Sequence, residues 1–210
     1  MTSLDRHRMV YLDPAAWPAI LAAHPSAQTI PEVVSWVEAG RPLIARRPLC
    51  SDGAGLVPLG LPLPPSLGKQ RLAFAVPPDV IASTCPAPLL SAAVDAAPAA
   101  WLATISALVA LDPATRCFGS LAWAHLTGLR YLAETSDLDV FWQVSDAEVA
   151  AGLAAALPAI DAGAPMRLDG EFVLPGGAAI QWREWVSGAP ELLAKTADGS
   201  VIVSRARAFA

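Results

Sequence analysis

The sequence predicts an α+β chain in two parts, a smaller N-terminal α+β domain over residues 1–84 and a mixed sheet with flanking helices over residues 85–210. Three observations carry this. Short apolar runs of strand character alternate with helical patterns along the whole chain. A Pro- and Ala-rich stretch with weak patterning, residues 77–98, separates the two parts. Finally, the 210 residues are 54% hydrophobic and only 16% charged, enough for a sizeable buried core.

Residues 8–12 read as a strand. Asp13 then caps a helix that runs to Ala23, with Pro14 at the first helical position, where its missing N–H costs nothing. Residues 31–39 repeat that logic, with Val33, Val34, Trp36 and Val37 as the apolar stripe and Gly40 as the stop. Residues 41–47 read as a strand between arginines. Residues 54–67 hold so many prolines that they read as an edge strand or an extended loop, because proline lacks the donor an inner strand needs. Residues 72–76 form another strand. Lys69 and Arg71 just before it are either a solvated strand start or a phosphate-binding pair.

In the second part, residues 99–111 form a helix with Trp101, Leu102, Ile105, Leu108 and Val109 on one face. Residues 117–142 follow as strand, tight turn at Gly119-Ser120, short helix, connection and second strand. Ser145, with Glu148 three residues on, caps a helix to about residue 157. Residues 166–174 and 178–186 read as strands around Pro175-Gly176-Gly177, and residues 192–196 and 201–204 as a hairpin around Asp198-Gly199.

The net charge of −5 argues against a dedicated nucleic-acid binder, which needs a basic surface. No apolar run reaches the roughly 20 residues of a spanning helix, and no apolar run follows the charged N-terminus, so neither a membrane span nor a signal peptide is expected. Cys50, Cys85 and Cys117 have no metal or redox spacing and suit a reducing cytoplasm.

The chemistry concentrates at residues 117–142. Two residues apart on a strand, Asp137 and Asp139 project to one face. Carboxylates this close repel unless a cation lies between them. Hard oxygen ligands with no neighbouring Cys or His suit Mg²⁺, which takes one or two carboxylates plus substrate phosphates. Gly119 admits a close ligand and Ser120 opens a helix, whose N-terminus attracts anions. A third carboxylate is expected to orient or deprotonate the nucleophile. Asp169 and Glu171 share a strand face and both qualify, with Asp169 preferred. Alone, an Asp-x-Asp pair is better read as an exposed strand end; the turn, the apolar strand behind it and the later acids together turn the reading to chemistry. Arg183 and Lys195 could reach phosphates or instead pair with Glu184 or Glu191. His125 reads as packing or a local hydrogen bond rather than a catalytic base, and His7 and His24 as surface.

The Gly119-Ser120 turn, the helix after it and Ser136-Asp137-Leu138-Asp139-Val140 resemble the nucleotidyltransferase superfamily. Arg6-His7, residues 12–17, 41–47 and 59–65, Gly68-Lys69, residues 118–123, Thr127-Gly128-Leu129, residues 167–171, Trp182-Arg183-Glu184 and Lys195-Thr196 are more particular. They resemble the phosphoribosyl-dephospho-CoA transferases, the holo-acyl-carrier-protein synthases of malonate decarboxylase. The resemblance implies a nucleotidyltransferase-like domain over 85–210; residues 1–84 carry no chemical signature of their own and are assigned to donor or carrier recognition by elimination. It implies transfer from 2′-(5″-triphosphoribosyl)-3′-dephospho-CoA to a serine of the apo acyl-carrier subunit, with release of pyrophosphate. Asp137 and Asp139 take the family's metal-ligand positions. The anionic donor draws Lys69 and Arg71 toward phosphate binding, and Lys195 stands beside them as a phosphate candidate from its strand position. Rival readings are a transferase of AMP or another nucleotide, and a catalytically silent partner of a decarboxylase complex.

Overall fold

The computed structural model describes residues 4–196 and 199–209. The chain divides into two compact units, residues 1–87 and 88–210, and is α+β throughout.

The N-terminal unit runs β1 (Met9–Leu12), α1 (Trp17–Ala22), α2 (Pro25–Gln28), α3 (Pro31–Val34), β2 (Leu43–Ala45), β3 (Val57–Pro62), β4 (Arg71–Val76) and β5 (Ile81–Cys85). Its antiparallel sheet has the order β4-β3-β2-β1-β5. Asp13 caps the turn Pro14–Ala16 that leads into α1, its carboxylate accepting from Ala15 N–H. Pro31 opens α3, but regular helix stops at Val34 and the chain continues to Gly40 in turns. The core is set by two buried tryptophans whose indole N–H groups are both satisfied, Trp17 by Val33 O and Trp36 by Pro42 O, each at 2.9 Å. His24, expected at the surface, packs edge-on against Phe74 with ring centroids 4.7 Å apart.

Two expectations for this unit fail. The proline-rich segment is not an edge: β3 pairs with both β2 and β4. It can do so because β2 meets it only at Leu59 and Gly60, leaving Pro58 and Pro62 outside that ladder. The stretch after Pro77, read as irregular, contains β5, which pairs with β1 over Met9↔Cys85 to Leu12↔Ile81. Its exposed Ala82, Ser83 and Thr84 hid the strand from an apolar pattern.

The C-terminal unit runs α4 (Leu102–Leu111), β6 (Arg116–Cys117), α5 (Gly119–Thr127), β7 (Leu138–Gln143), α6 (Ala147–Ala162), β8 (Leu168–Val173), β9 (Ala179–Gln181), α7 (Trp182–Val186), β10 (Glu191–Lys195) and β11 (Ser200–Ser204). The sheet order is β11-β10-β9-β8-β7-β6, and the β7–β8 pair is parallel within an otherwise antiparallel sheet. A parallel pair needs a crossover, which α6 supplies. Leu138, Val140 and Trp142 of β7, with Leu168 and Phe172 of β8, enter one core with Ile105, Leu108, Leu153 and Leu157 of α4 and α6. The alternate residues Asp139, Asp169 and Glu171 take the other face.

Asp146 caps α6, not Ser145. Its carboxylate accepts from Glu148 and Val149 N–H at 2.9 Å, and Ser145 donates to Asp146. The helix also passes Pro158 and ends at Ala162, five residues beyond expectation. The expected strand over 178–186 is only three residues long, and α7 replaces its second half. Gln181 caps α7, and Trp182 and Trp185, three apart, are both buried on one helical face. The β10–β11 hairpin forms, with Thr196 N–H donating to Gly199 O at 2.8 Å. Asp198 of its expected turn lies outside the described residues. Cys50, Cys85 and Cys117 are all free thiols. No helix among the described residues is long and apolar enough to cross a membrane.

Gly170 shows how tightly the sheet is packed beneath the acids. A Cβ there would lie 2.6 Å from Trp142 Cζ3 and 3.0 Å from Trp182 Cδ1. Gly170→Ala is expected to destabilise the protein by about 1–3 kcal/mol through overpacking, read as a lower urea midpoint at unchanged slope.

Candidate active site

The site begins where β6 turns into α5. Phe118 N–H donates to Asp139 O at 3.0 Å, which holds the turn against β7. Gly119 then takes φ of +62°, a left-handed conformation that favours glycine. A Cβ on it would sit 1.8 Å from Asp139 Oδ2. The missing side chain is therefore the space that the Asp139 carboxylate fills. Ser120, the next residue, gives its backbone N–H to that carboxylate. The sequence assigned this turn to a phosphate; the structure shows that it also seats an acid.

Asp139 and Asp169 are register partners on the parallel pair β7–β8, so their side chains stand side by side on one face. Asp137 lies one residue before β7, and Glu171 two residues further along β8. Burial pushes the Asp139 carboxyl up to about 7, helped by the charges of Asp169, Asp137 and Glu171 and opposed by the Ser120 N–H. Cys117, buried under the same turn, is pushed up to about 12, mainly by burial, with Asp139's charge adding to it. It is held as a thiol and supplies no nucleophile.

The four acids differ in what they touch. Glu171 is 4% exposed, and Lys195 Nζ donates to its Oε1 at 2.8 Å. That ion pair reaches across β9 and holds one Glu171 oxygen within the sheet. Asp169 Oδ1 receives the Gln181 side-chain amide at 3.4 Å. Asp137 faces Arg167, whose Nη1 lies 3.6 Å from Oδ2; both are substantially exposed. Arg167 is anchored here because its carbonyl accepts from Leu138 N–H at 2.9 Å.

Of the residues singled out in the sequence, the fold gathers Gly119, Ser120, Asp137, Asp139, Asp169 and Glu171 around the adjoining ends of β6, β7 and β8. Lys195 meets Glu171, not Glu184 or Glu191. Arg183 pairs with Asp161 at 2.7 Å, donates to Leu168 O at 2.7 Å and stacks on Trp182, so it is fixed in a structural role. Lys69 and Arg71 belong to the N-terminal unit, where both are exposed, Lys69 with φ of +53° and Arg71 opening β4. His125 is exposed in the last turn of α5. Sequence reasoning missed Gln181. No residue-type signal marked it, because helix caps are read from Ser, Thr, Asp or Asn, and the strand reading of residues 178–186 covered it.

The donor set suits a hard divalent cation. Among the described residues no three such side chains are arranged to hold an ion by themselves. Mg²⁺ does not require that, because it keeps waters and takes substrate phosphates beside one or two carboxylates. Asp137 and Asp139 are the two that would hold it, and the repulsion from neighbouring acids, which adds to burial in lifting Asp139, is what a cation relieves.

Comparison with known proteins gives a consistent result. Residues 5–87 match the family model described as phosphoribosyl-dephospho-CoA transferase MdcG N-terminal domain, and residues 88–206 match the corresponding C-terminal domain. The chain is similar to proteins named phosphoribosyl-dephospho-CoA transferase. In Bradyrhizobium diazoefficiens the identity is 41% over 204 residues, covering 95% of this chain and 90% of that protein. In Xanthomonas euvesicatoria pv. vesicatoria it is 39%, and in Xanthomonas axonopodis pv. citri 37%, each over 210 residues covering 97% of this chain and 96% of the relative. No solved structure matches.

Proposed function

Because the chain belongs to the phosphoribosyl-dephospho-CoA transferase family, we propose that it moves the 2′-(5″-phosphoribosyl)-3′-dephospho-CoA group onto a serine of the apo acyl-carrier subunit of malonate decarboxylase. The donor is 2′-(5″-triphosphoribosyl)-3′-dephospho-CoA. The serine oxygen forms a bond to the phosphorus next to the ribose, the bond from that phosphorus to the bridging oxygen breaks, and pyrophosphate leaves.

The observation that carries this reading is the register pairing of Asp139 with Asp169 beside the Gly119 turn. Asp137 and Asp139 would hold Mg²⁺, which would neutralise charge on the donor phosphates. Asp169 receives the serine proton and aims the hydroxyl. Glu171 is left out of the chemistry, because its charge is already met by Lys195 within the sheet. That pairing makes Lys195 a support for Glu171 first and a phosphate ligand second. Ser120, at the start of α5, meets phosphate with its hydroxyl while its N–H serves Asp139. Lys69 and Arg71 act in donor recognition. The three free thiols fit a reducing compartment, so the reaction is assigned to the cytoplasm.

The choice of third acid has a direct test. Asp169→Asn is expected to lower kcat by about a hundredfold or more, the range for losing a positioned base. Glu171→Gln is expected to stay within about threefold of wild type. Equal losses in the two variants, or a larger loss in Glu171→Gln, would reverse the assignment. Released pyrophosphate, measured by a coupled assay, should match modified carrier one to one.

A further inference from the structure

We propose that Gln181 is a positioning residue for Asp169, one amide that serves the helix cap with one end and the acid with the other. This rests on the reading of Asp169 as the third acid. Gln181 ends β9 and caps α7. Its Oε1 accepts from Arg183 N–H at 2.6 Å and from Glu184 N–H at 3.3 Å. Two backbone donors on that atom fix which way the amide points, so Nε2 is the atom left to face Asp169, and it donates to Oδ1 at 3.4 Å. The backbone that carries it is equally fixed, because Gln181 is the register partner of Glu171. α7 is in turn tied to the start of β8 through Trp182 Nε1 and Arg183 Nη1, both donating to Leu168 O. Asp169 is the next residue. The acid and its orienting donor are thus built from one rigid joint of sheet and helix, and one Asp169 oxygen stays available for a nucleophile.

Two substitutions separate the two ends of the amide. Gln181→Ser keeps a capping oxygen for α7 but cannot reach Asp169. Gln181→Glu keeps the cap and removes the donor. Gln181→Ser should melt within about 4 °C of wild type, and Gln181→Glu lower, since it sets a further charge beside Asp169 and Glu171, while kcat in Gln181→Ser falls about 10- to 100-fold, as for loss of an outer-shell partner, with donor KM within about twofold. A second readout does not depend on turnover. The Gln181 side-chain amide signals in a ¹⁵N NMR spectrum, identified by their loss in Gln181→Ser, should move when Asp169 is changed to Asn. Wild-type kcat in Gln181→Ser, or amide signals indifferent to Asp169→Asn, would overturn the proposal. A wild-type chain that transfers nothing to the carrier would instead sink the underlying reading, and the NMR result would still decide whether Gln181 holds Asp169.

Discussion

Asp139→Asn is expected to abolish transfer, by roughly a thousandfold or more, and at the same time to stabilise the metal-free protein at pH 8. The two effects have one cause. In the folded chain burial and three neighbouring acids hold the Asp139 carboxyl at about 7, against a value of 3.8 when exposed. Between those values the folded state binds the proton more tightly than the unfolded state does. Stability therefore falls as pH rises from about 4, and the whole penalty is present above pH 7. The asparagine amide carries no charge, still offers an oxygen to the Ser120 N–H, and removes the penalty. The gain should be on the order of 2 kcal/mol after allowance for solvent screening. Thermal unfolding in EDTA at pH 5 and pH 8 checks it: the variant's advantage should be about a third as large at the lower pH as at the higher. A variant that melts below wild type at pH 8 would contradict this account of the site's electrostatics. A cluster of acids that is costly when empty is what a centre built for a cation should show.

Gly119→Ala is expected to cut transfer by about a hundredfold or more and to cost about 1–3 kcal/mol of stability. An alanine Cβ would fall 1.8 Å from Asp139 Oδ2 and 2.6 Å from its Cγ. The carboxylate must leave its place, or the turn must move. The left-handed backbone adds its own penalty for any residue with a side chain. A double-mutant cycle isolates the contact. Gly119→Ala should cost less in an Asp139→Ala background, where the oxygens it strikes are gone. An equal cost in both backgrounds would mean that backbone strain alone explains the effect.

Much of this site could be read from residue types and spacing, because Asp137, Asp139 and the Gly119-Ser120 turn lie close together in sequence. The α+β class and most strands followed from local apolar patterns as well. The juxtaposition of Asp139 with Asp169 could not be read the same way. It depends on β7 and β8 pairing in parallel, in one particular register, across α6. A strand–helix–strand order suggests such a crossover, but register is set by packing, here of Trp142 and Trp182 against Gly170. The Lys195–Glu171 pair was hidden for a similar reason: it spans β9, whose position between β8 and β10 is a property of the sheet order. Residues 182–186 were misread because Trp, Arg, Glu and Val suit strands and helices alike in so short a run. A single cap, Gln181, decides between them. The inner placement of β3 also escaped prediction, since two prolines are harmful only where a neighbour needs their missing donors.

The measurement that bears most directly on the central claim is the intact mass of the apo acyl-carrier subunit after incubation with this protein and Mg²⁺. One sample receives 2′-(5″-triphosphoribosyl)-3′-dephospho-CoA and another ATP. A gain equal to the phosphoribosyl-dephospho-CoA group is expected in the first sample only, on the acceptor serine, and none with Asp139→Asn. An AMP-sized gain with ATP and no gain with the CoA derivative, or a full gain with the Asp139 variant, would contradict it.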